Sequence, residues 1–428
     1  MRAILILLDG LGDRGCEILD NKTPLQFAKT PNLDKLAENG MCGLMTTYKE
    51  GIPLGTEVAH FLLWGYSLEE FPGRGVIEAL GEDIEIEENA IYLRASLGFV
   101  KKDEKGFLVV DRRTKDIRRE EIEKLVESLP MCIDGYKFEL FYSFDVHFIL
   151  KIKEKNGWIS DKISDSDPFY KNRYIMKVQP IKELCKSSVE YNKAKDTARA
   201  LNKYLLNVYK TLQNHKINKK RRKMEKMPAN FLLTKWASRY KKVEGFKERW
   251  GMNAVVLGSS SLFKGLAKFL GMDFIKIESF EEGLNLIPEL NYDFIHLHTK
   301  ETDEAAHTKN PLNKVKVIEK IDKLIGNLKL NDDDLLIITA DHSTPSVGDL
   351  IHSGESVPII FYGKNVRIDN VKEFNEITCS NGHLRIRGNE LMHLILNYTN
   401  RALLYGLRAG NRLRYYIPND DDIELLQE

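Results

Sequence analysis

Residues of the kind that hold metal ions recur in this sequence where apolar runs end. Asp341-His342 closes the run Leu335-Leu336-Ile337-Ile338-Thr339-Ala340, and Asp9 follows Ala3-Ile4-Leu5-Ile6-Leu7-Leu8 and precedes Gly10. A carboxylate oxygen next to an imidazole nitrogen suits a divalent transition metal. Asp303 and His307 stand four apart, which on a helix puts both side chains on one face, as two ligands of one ion require. His352 opens the turn His352-Ser353-Gly354-Glu355 ahead of another apolar run, Val357 to Tyr362. Thr56 ends the loop Gly51-Ile52-Pro53-Leu54-Gly55-Thr56 and precedes a helix predicted from Glu57 to Trp64. That helix start would turn free N–H groups toward an anion beside the hydroxyl, although a plain N-cap is the other reading of this threonine. Spacing alone does not divide these ligands between ions.

The elements that must position them follow from hydrophobic pattern. Short apolar runs bounded by turn residues predict strands buried on both faces, which deliver side chains to the carboxyl edge of a sheet, where open α/β sheets keep their ligands. Met1 to Asp9 reads as the first strand, and Pro31 to Asn39 as a helix started by Thr30-Pro31 and ended by Gly40. From Glu87 the texture changes. Tyr92 to Val100 and Phe107 to Asp111 read as paired strands, Phe138 to Ile152 as further strand, and Ile117 to Leu129 and Asn192 to Leu212 as amphipathic helices. From Asn253 strand and helix alternate again: Ala254 to Leu257, a helix through Phe269, Asp293 to His298, the helical pattern Leu312 to Leu328, then the Asp341-His342 strand. The expected organisation is a metal-binding α/β domain over residues 1–86 and 240–428, interrupted by an α+β domain over residues 87–239.

Bulk properties narrow the function classes. In 428 residues, 64 Lys and Arg face 63 Asp and Glu, so the formal charge of +1 favours neither nucleic acid nor anionic membrane. The densest basic run, Lys219-Lys220-Arg221-Arg222-Lys223, reads as a solvated face. Five cysteines without paired spacing argue against a disulfide framework. The N-terminal apolar run is too short for a membrane span and has no cleavage pattern, so a cytoplasmic enzyme is expected.

In order along the chain, Asp-Gly, Gly-Thr, Asp-x-x-x-His, Asp-His and His resemble the alkaline phosphatase superfamily, and within it the archaeal type of cofactor-independent phosphoglycerate mutase. The residues carrying the resemblance include Leu8-Asp9-Gly10-Leu11-Gly12-Asp13, Thr30-Pro31-Asn32-Leu33-Asp34, Gly73-Arg74-Gly75, Asp111-Arg112-Arg113, Ser164-Asp165-Ser166-Asp167-Pro168, Lys300-Glu301-Thr302-Asp303 and Ala340-Asp341-His342-Ser343-Thr344-Pro345. The match runs from Leu8 to about Asn397. The resemblance implies an alkaline-phosphatase-like α/β/α sandwich with an inserted capping domain. It implies two divalent cations, with Mn²⁺ first and Mg²⁺, Co²⁺ or Zn²⁺ as other choices. Asp303, His307 and His352 would hold one, and Asp9, Asp341, His342 and the Thr56 oxygen the other.

By the same resemblance Thr56 is the nucleophile that takes the phosphoryl group of 2- or 3-phosphoglycerate and returns it to the other oxygen of glycerate. A substrate with a carboxylate and a phosphate calls for guanidinium forks, and Arg74, Arg94, Arg112 and Arg113 are the candidates. Asp165 or Asp167 would orient a hydroxyl or exchange a proton, and Lys300 would neutralise the phosphate. The chain departs from the family pattern at three places: Thr56 stands where serine is usual, His147-Phe148 where His-Arg is usual, and Lys235-Trp236-Ala237-Ser238 where a glycine-rich stretch carries an arginine. Two other readings therefore stay open. One is a metal-dependent phosphatase or phosphodiesterase using Thr56; the other is a non-catalytic paralogue that binds phosphorylated metabolites.

Overall fold

The apolar runs form strands, and the most buried of them lie side by side. In the computed structural model, which describes residues 1–155, 157–403 and 426, the chain divides into two compact units, Met1–Phe71 with Val243–Glu428, and Pro72–Lys242. The first unit opens with strands β1 (Arg2–Leu8) and β2 (Met41–Thr46). The chain then enters the second unit, with β3 (Ala90–Lys102), β4 (Phe107–Asp111), β5 (Cys132–Ile133), β6 (Tyr136–Tyr142), β7 (His147–Glu154) and β8 (Phe231–Arg239). It returns to the first with β9 (Ala254–Gly258), β10 (Asp273–Lys276), β11 (Phe294–Thr299), β12 (Asp334–Thr339), β13 (Val357–Tyr362) and β14 (Leu384–Arg387).

In the first unit eight strands make one sheet in the order β10-β9-β11-β1-β12-β13-β2-β14. Pairing is parallel throughout except around β13, which runs against both β12 and β2. β1 lies between β11 and β12, with Leu8 opposite Thr299 and Leu7 opposite Thr339. Every residue of β11 and β12 is buried, as is all of β1 after Arg2, which is the pattern of strands covered on both faces. Three adjacent parallel strands therefore end together, and the residues just beyond each meet at one edge. β2 and β14 had no counterpart in the sequence reading. β2 carries the small, weakly β-forming Gly43 at its middle, and β14 is only four residues long.

In the second unit β3 is the spine, paired antiparallel with β4, β7 and β8. A 27-residue helix, Ser188–Asn214, starts where the Ser187 hydroxyl accepts from Glu190 N–H, and Phe138 of β6 stacks on its Tyr204 with ring centroids 4.0 Å apart. The division differs from the expected one at its first boundary and, by the three residues 240–242, at its second. Residues 72–86, expected in the first domain, belong to the second unit. The helix Arg74–Gly81 in this stretch is tied to β8 by the bond from Val76 N–H to Ser238 Oγ. Residues 404–425, part of the expected 240–428 segment, lie outside the described residues. No described helix is long and apolar enough to cross a membrane.

Candidate metal centre

The ends of β1, β11 and β12 deliver Asp9, the helix Glu301–His307 and the pair Asp341-His342 to one place in the first unit. A turn before β13 adds His352, and the helix Thr56–Leu63 adds Thr56. Two groups of three ligand atoms each lie within 4.8 Å of one another: Asp9, Asp341 and His342, and Asp303, His342 and His352. His342 Nε2 sits at the junction, 3.4 Å from Asp9 Oδ1, 3.2 Å from Asp341 Oδ2 and 3.4 Å from Thr56 Oγ1. The His342 and His352 rings stack with centroids 3.8 Å apart. His342 falls in both groups, and His307, which the resemblance assigns with Asp303 and His352, falls in neither. His307 instead bonds directly to Asp303, Nε2 to Oδ2 at 3.1 Å, as their four-residue helical spacing allows.

Thr56 is the first residue of its helix and Gly55 is the N-cap, so the hydroxyl does no capping and is left for the site. Its position is fixed from behind: His60, one turn on, bonds through Nδ1 to the Thr56 carbonyl at 2.7 Å. His298 Nε2 lies 3.1 Å from Asp9 Oδ2, and His352 Nδ1 lies 2.6 Å from the Leu54 carbonyl. An imidazole anchored through one nitrogen presents the other in a fixed direction, and a carboxylate held by one oxygen presents its second. His60 and His298 escaped the sequence reading. The signals were there, as His60 follows Thr56 by four residues and His296 and His298 alternate along a strand, but lone buried histidines are common.

The electrostatics test whether this cluster fits cations. Burial pushes Asp9 up to about 6, with Asp303 adding to the push while His342 and Lys300 oppose it. Asp341 is raised well above the carboxylate range by burial and then by Asp9. Burial holds His342 down at about 4, against the pull of Asp9. Burial would raise Asp303 as well, but hydrogen bonds from His307 and Thr344 prevail and hold it well below the ordinary range. Asp9 Oδ1 and Asp341 Oδ2 are buried and accept no hydrogen bond among the described residues. Unsatisfied buried carboxylate oxygens are costly, and two divalent cations would satisfy both while favouring ionised acids and neutral imidazoles. The donor set therefore fits two cations. The Lys300 ammonium, on the same edge, has no hydrogen-bond or ion-pair partner among the described residues.

The remaining expected site residues all lie in the second unit. The Glu78 carboxylate holds two of the arginines, Arg74 Nε at 2.7 Å and Arg94 Nη1 at 2.7 Å. Asp167, 1% exposed, binds Arg112 through both oxygens at 2.9 and 2.5 Å, so it fixes a guanidinium and is not a free acid. Asp165 accepts from Trp236 N–H at 2.7 Å and is raised by burial. Arg113 is exposed. Sequence reasoning left Lys235 and Trp236 without a role, yet the Lys235 ammonium lies 3.9 Å from the Trp236 ring centre and the Arg74 guanidinium 4.3 Å from it. β8 is irregular at this point: its register with β3 shifts and Trp236 takes φ +60°. The positive field of this cluster shows at His147, which burial, then Arg94, Arg113, Lys235 and Arg112, push down to about 3.

A parallel-rich α/β sheet with a carboxylate and imidazole cluster fit for divalent cations at its carboxyl edge is the architecture of a metal-dependent phosphoryl-handling enzyme, and the Metalloenzyme superfamily model matches residues 1–398. The chain is 90% identical over 427 residues to 2,3-bisphosphoglycerate-independent phosphoglycerate mutase 2 of Methanocaldococcus jannaschii, covering all of both chains. Among solved structures it resembles the cofactor-independent phosphoglycerate mutase of Thermoplasma acidophilum, with TM-score 0.65, 29% identity and coverage of 93% of this chain and 99% of that one. It also resembles the PH0037 protein of Pyrococcus horikoshii, with TM-score 0.77, 28% identity and coverage of 95% and 99%. The chain belongs to the 2,3-bisphosphoglycerate-independent phosphoglycerate mutases of the Metalloenzyme superfamily.

Proposed function

We propose that this protein interconverts 2-phosphoglycerate and 3-phosphoglycerate, with the phosphoryl group carried on Thr56 between the two. The observation that carries the reading is the Thr56 hydroxyl 3.4 Å from His342 Nε2, beside the ligand atoms of Asp9, Asp303, Asp341 and His352. Asp9, Asp341 and His342 would hold one divalent cation and Asp303 and His352, with His307 at their side, the other; manganese suits the mixed oxygen and nitrogen donors. Bound there, the pair supplies Lewis acidity for the phosphoryl oxygens and favours ionisation of a nearby hydroxyl.

The chain's own residues do the rest. His60 holds the Thr56 backbone so that the hydroxyl is aimed, and the positive end of its helix dipole favours the anion that Thr56 attacks. Lys300 brings an ammonium without an ion-pair partner among the described residues to neutralise the phosphate. In the second unit Arg74, Arg94, Arg112 and Arg113 are guanidinium groups suited to a carboxylate, with Glu78 and Asp167 keeping three of the four in place. Asp165, raised by burial, is suited to exchange a proton with the glycerate hydroxyl. In this reading the enzyme works in the cytoplasm, in glycolysis and gluconeogenesis.

Incubation of the protein with 3-phosphoglycerate and Mn²⁺ is expected to yield 2-phosphoglycerate, and mass mapping of the quenched reaction to place phosphate on Thr56. Thr56→Val should lower turnover by about a thousandfold or more, while manganese is still taken up. Release of free phosphate alone would replace the mutase with a hydrolase.

A further inference from the structure

Lys314 occupies a position that ordinary energetics disfavours twice. It lies in the first turn of the helix Pro311–Ile325, where the helix dipole opposes a cation, and its side chain is fully buried. What holds it there is a cage of acceptors. Nζ donates to the carbonyl oxygens of Gly10 at 2.8 Å, Gly12 at 2.9 Å and Thr344 at 2.9 Å, and to Asp13 Oδ2 at 3.0 Å. An ammonium has three N–H donors, so four acceptors use all of them and share one.

None of these acceptors belongs to a sheet strand. Gly10, Gly12 and Asp13 lie on the loop after Asp9, and Thr344 lies on the loop after Asp341 and His342. Asp13 reinforces the tie by accepting from Ser346 N–H at 3.1 Å and Ser346 Oγ at 2.5 Å. Each loop is linked in turn to the ligands. Gly10 N–H donates to Asp341 Oδ1 at 3.1 Å. Thr344 Oγ1 donates to Asp303 Oδ1 at 2.7 Å and lies 3.2 Å from His342 Nδ1. One ammonium thus joins the backbone that carries Asp9 to the backbone that carries His342 and the hydroxyl that orients Asp303.

We propose that Lys314 is a positioning residue for the metal centre, an internal cation whose bonds to the Gly10, Gly12 and Thr344 carbonyls hold the two ligand-bearing loops in their metal-binding arrangement. It touches neither substrate nor the ligand atoms themselves. A lysine with a merely structural role would contribute equally to the metal-free and metal-loaded fold, whereas a positioning lysine contributes to the affinity for the cations. The proposal rests on the two-cation reading of the site.

The test is direct titration of the full-length, chelator-stripped protein with Mn²⁺, following free manganese by electron paramagnetic resonance, for the parent and for Lys314→Met. The parent is expected to bind two equivalents and Lys314→Met to bind them about 10- to 100-fold more weakly. At saturating manganese the variant should recover turnover with an unchanged KM for phosphoglycerate. A folded Lys314→Met that binds manganese as tightly as the parent, with only its melting temperature lowered, overturns the proposal. If that variant does not fold, Asp13→Asn, which keeps the acceptor and removes the charge, is read the same way: weaker manganese binding supports the proposal and unchanged binding overturns it. A parent protein that binds no manganese would instead overturn the two-cation reading, and this proposal with it.

Discussion

At the scale of single residues, Lys235 carries a consequence that arginine at the same place would not. Burial pushes its ammonium down to about 8 against the pull of Asp167, and Arg112, Arg94 and Arg74 add to the push. The protonated form is the cation, so charge is present below pH 8 and lost as pH rises through it. Capture of an anionic substrate by the second unit's cationic cluster should weaken accordingly. We expect KM for phosphoglycerate to rise about tenfold between pH 7 and 9.5, the value of one charge-assisted hydrogen bond, with kcat at saturating Mn²⁺ much less affected. Lys235→Arg keeps its charge throughout, so its KM measured over the same range should stay flat; a flat profile in the parent would remove Lys235 from substrate binding.

At the scale of elements, the basic run of the second unit separates into two kinds of residue once folded. Lys216, Lys219, Lys220, Arg222 and Lys223 of the helix Lys216–Lys223 are exposed, as a solvated face requires. Arg221, 2% exposed, points inward and donates to the carbonyl oxygens of Met227 at 2.8 Å, Lys115 at 2.9 Å and Asp116 at 3.0 Å, and to Glu121 at 3.2 Å. It pins the end of that helix to the turn before the helix Arg119–Glu127, in a place where no regular element satisfies those carbonyls. Arg221→Met removes the donor from these carbonyls, which sit on half-buried Met227 and exposed Lys115 and Asp116, and the ion pair with Glu121, and should cost about 1 to 3 kcal/mol. Guanidinium unfolding curves would measure the loss, and Arg222→Met, on the exposed face, should change stability by about 0.5 kcal/mol or less.

At the scale of the whole molecule, the first unit folds its ligand cluster at a cost that cations offset. In the chelated protein Asp9 holds a proton up to about pH 6, whereas in the unfolded chain it loses that proton near 3.8. Asp9 therefore contributes a stability that falls as pH rises from about 4 to 6, while His342 and His147, buried and neutral when folded but protonated in the unfolded chain, contribute one that rises over the same window. Bound cations keep the carboxylate ionised and favourable, so the Asp9 contribution should be absent from the pH profile of the loaded protein. Manganese at about 100 times its dissociation constant should add about 2.7 kcal/mol at pH 7 for each cation bound. Melting temperatures against pH, with chelator and with manganese, check both statements, and parallel curves would contradict them.

How much of this was legible in the sequence differs by the kind of interaction involved. Asp9, Asp303, Asp341, His342 and His352 could be picked out because each stands near an end of an apolar run, and a strand buried on both faces carries the residues beyond its end to the sheet edge. Helices with strong periodicity, such as Ser188–Asn214, were legible for the same reason: hydrophobic spacing is local. The sharing of His342 between both ligand groups, the backing of Thr56 by His60, the clamp of Glu78 on two arginines and the four acceptors around Lys314 were not. Each depends on a meeting of side chains and backbone that spacing does not record. The first boundary between units was missed because the helix Arg74–Gly81 owes its allegiance to Ser238, 162 positions from the Val76 N–H whose hydrogen bond it accepts. The sequence by itself determined which side chains could hold cations and which segments would be buried, since both follow from residue type and local pattern. Only the tertiary structure decided which of those side chains meet, because that is set by strand order and register.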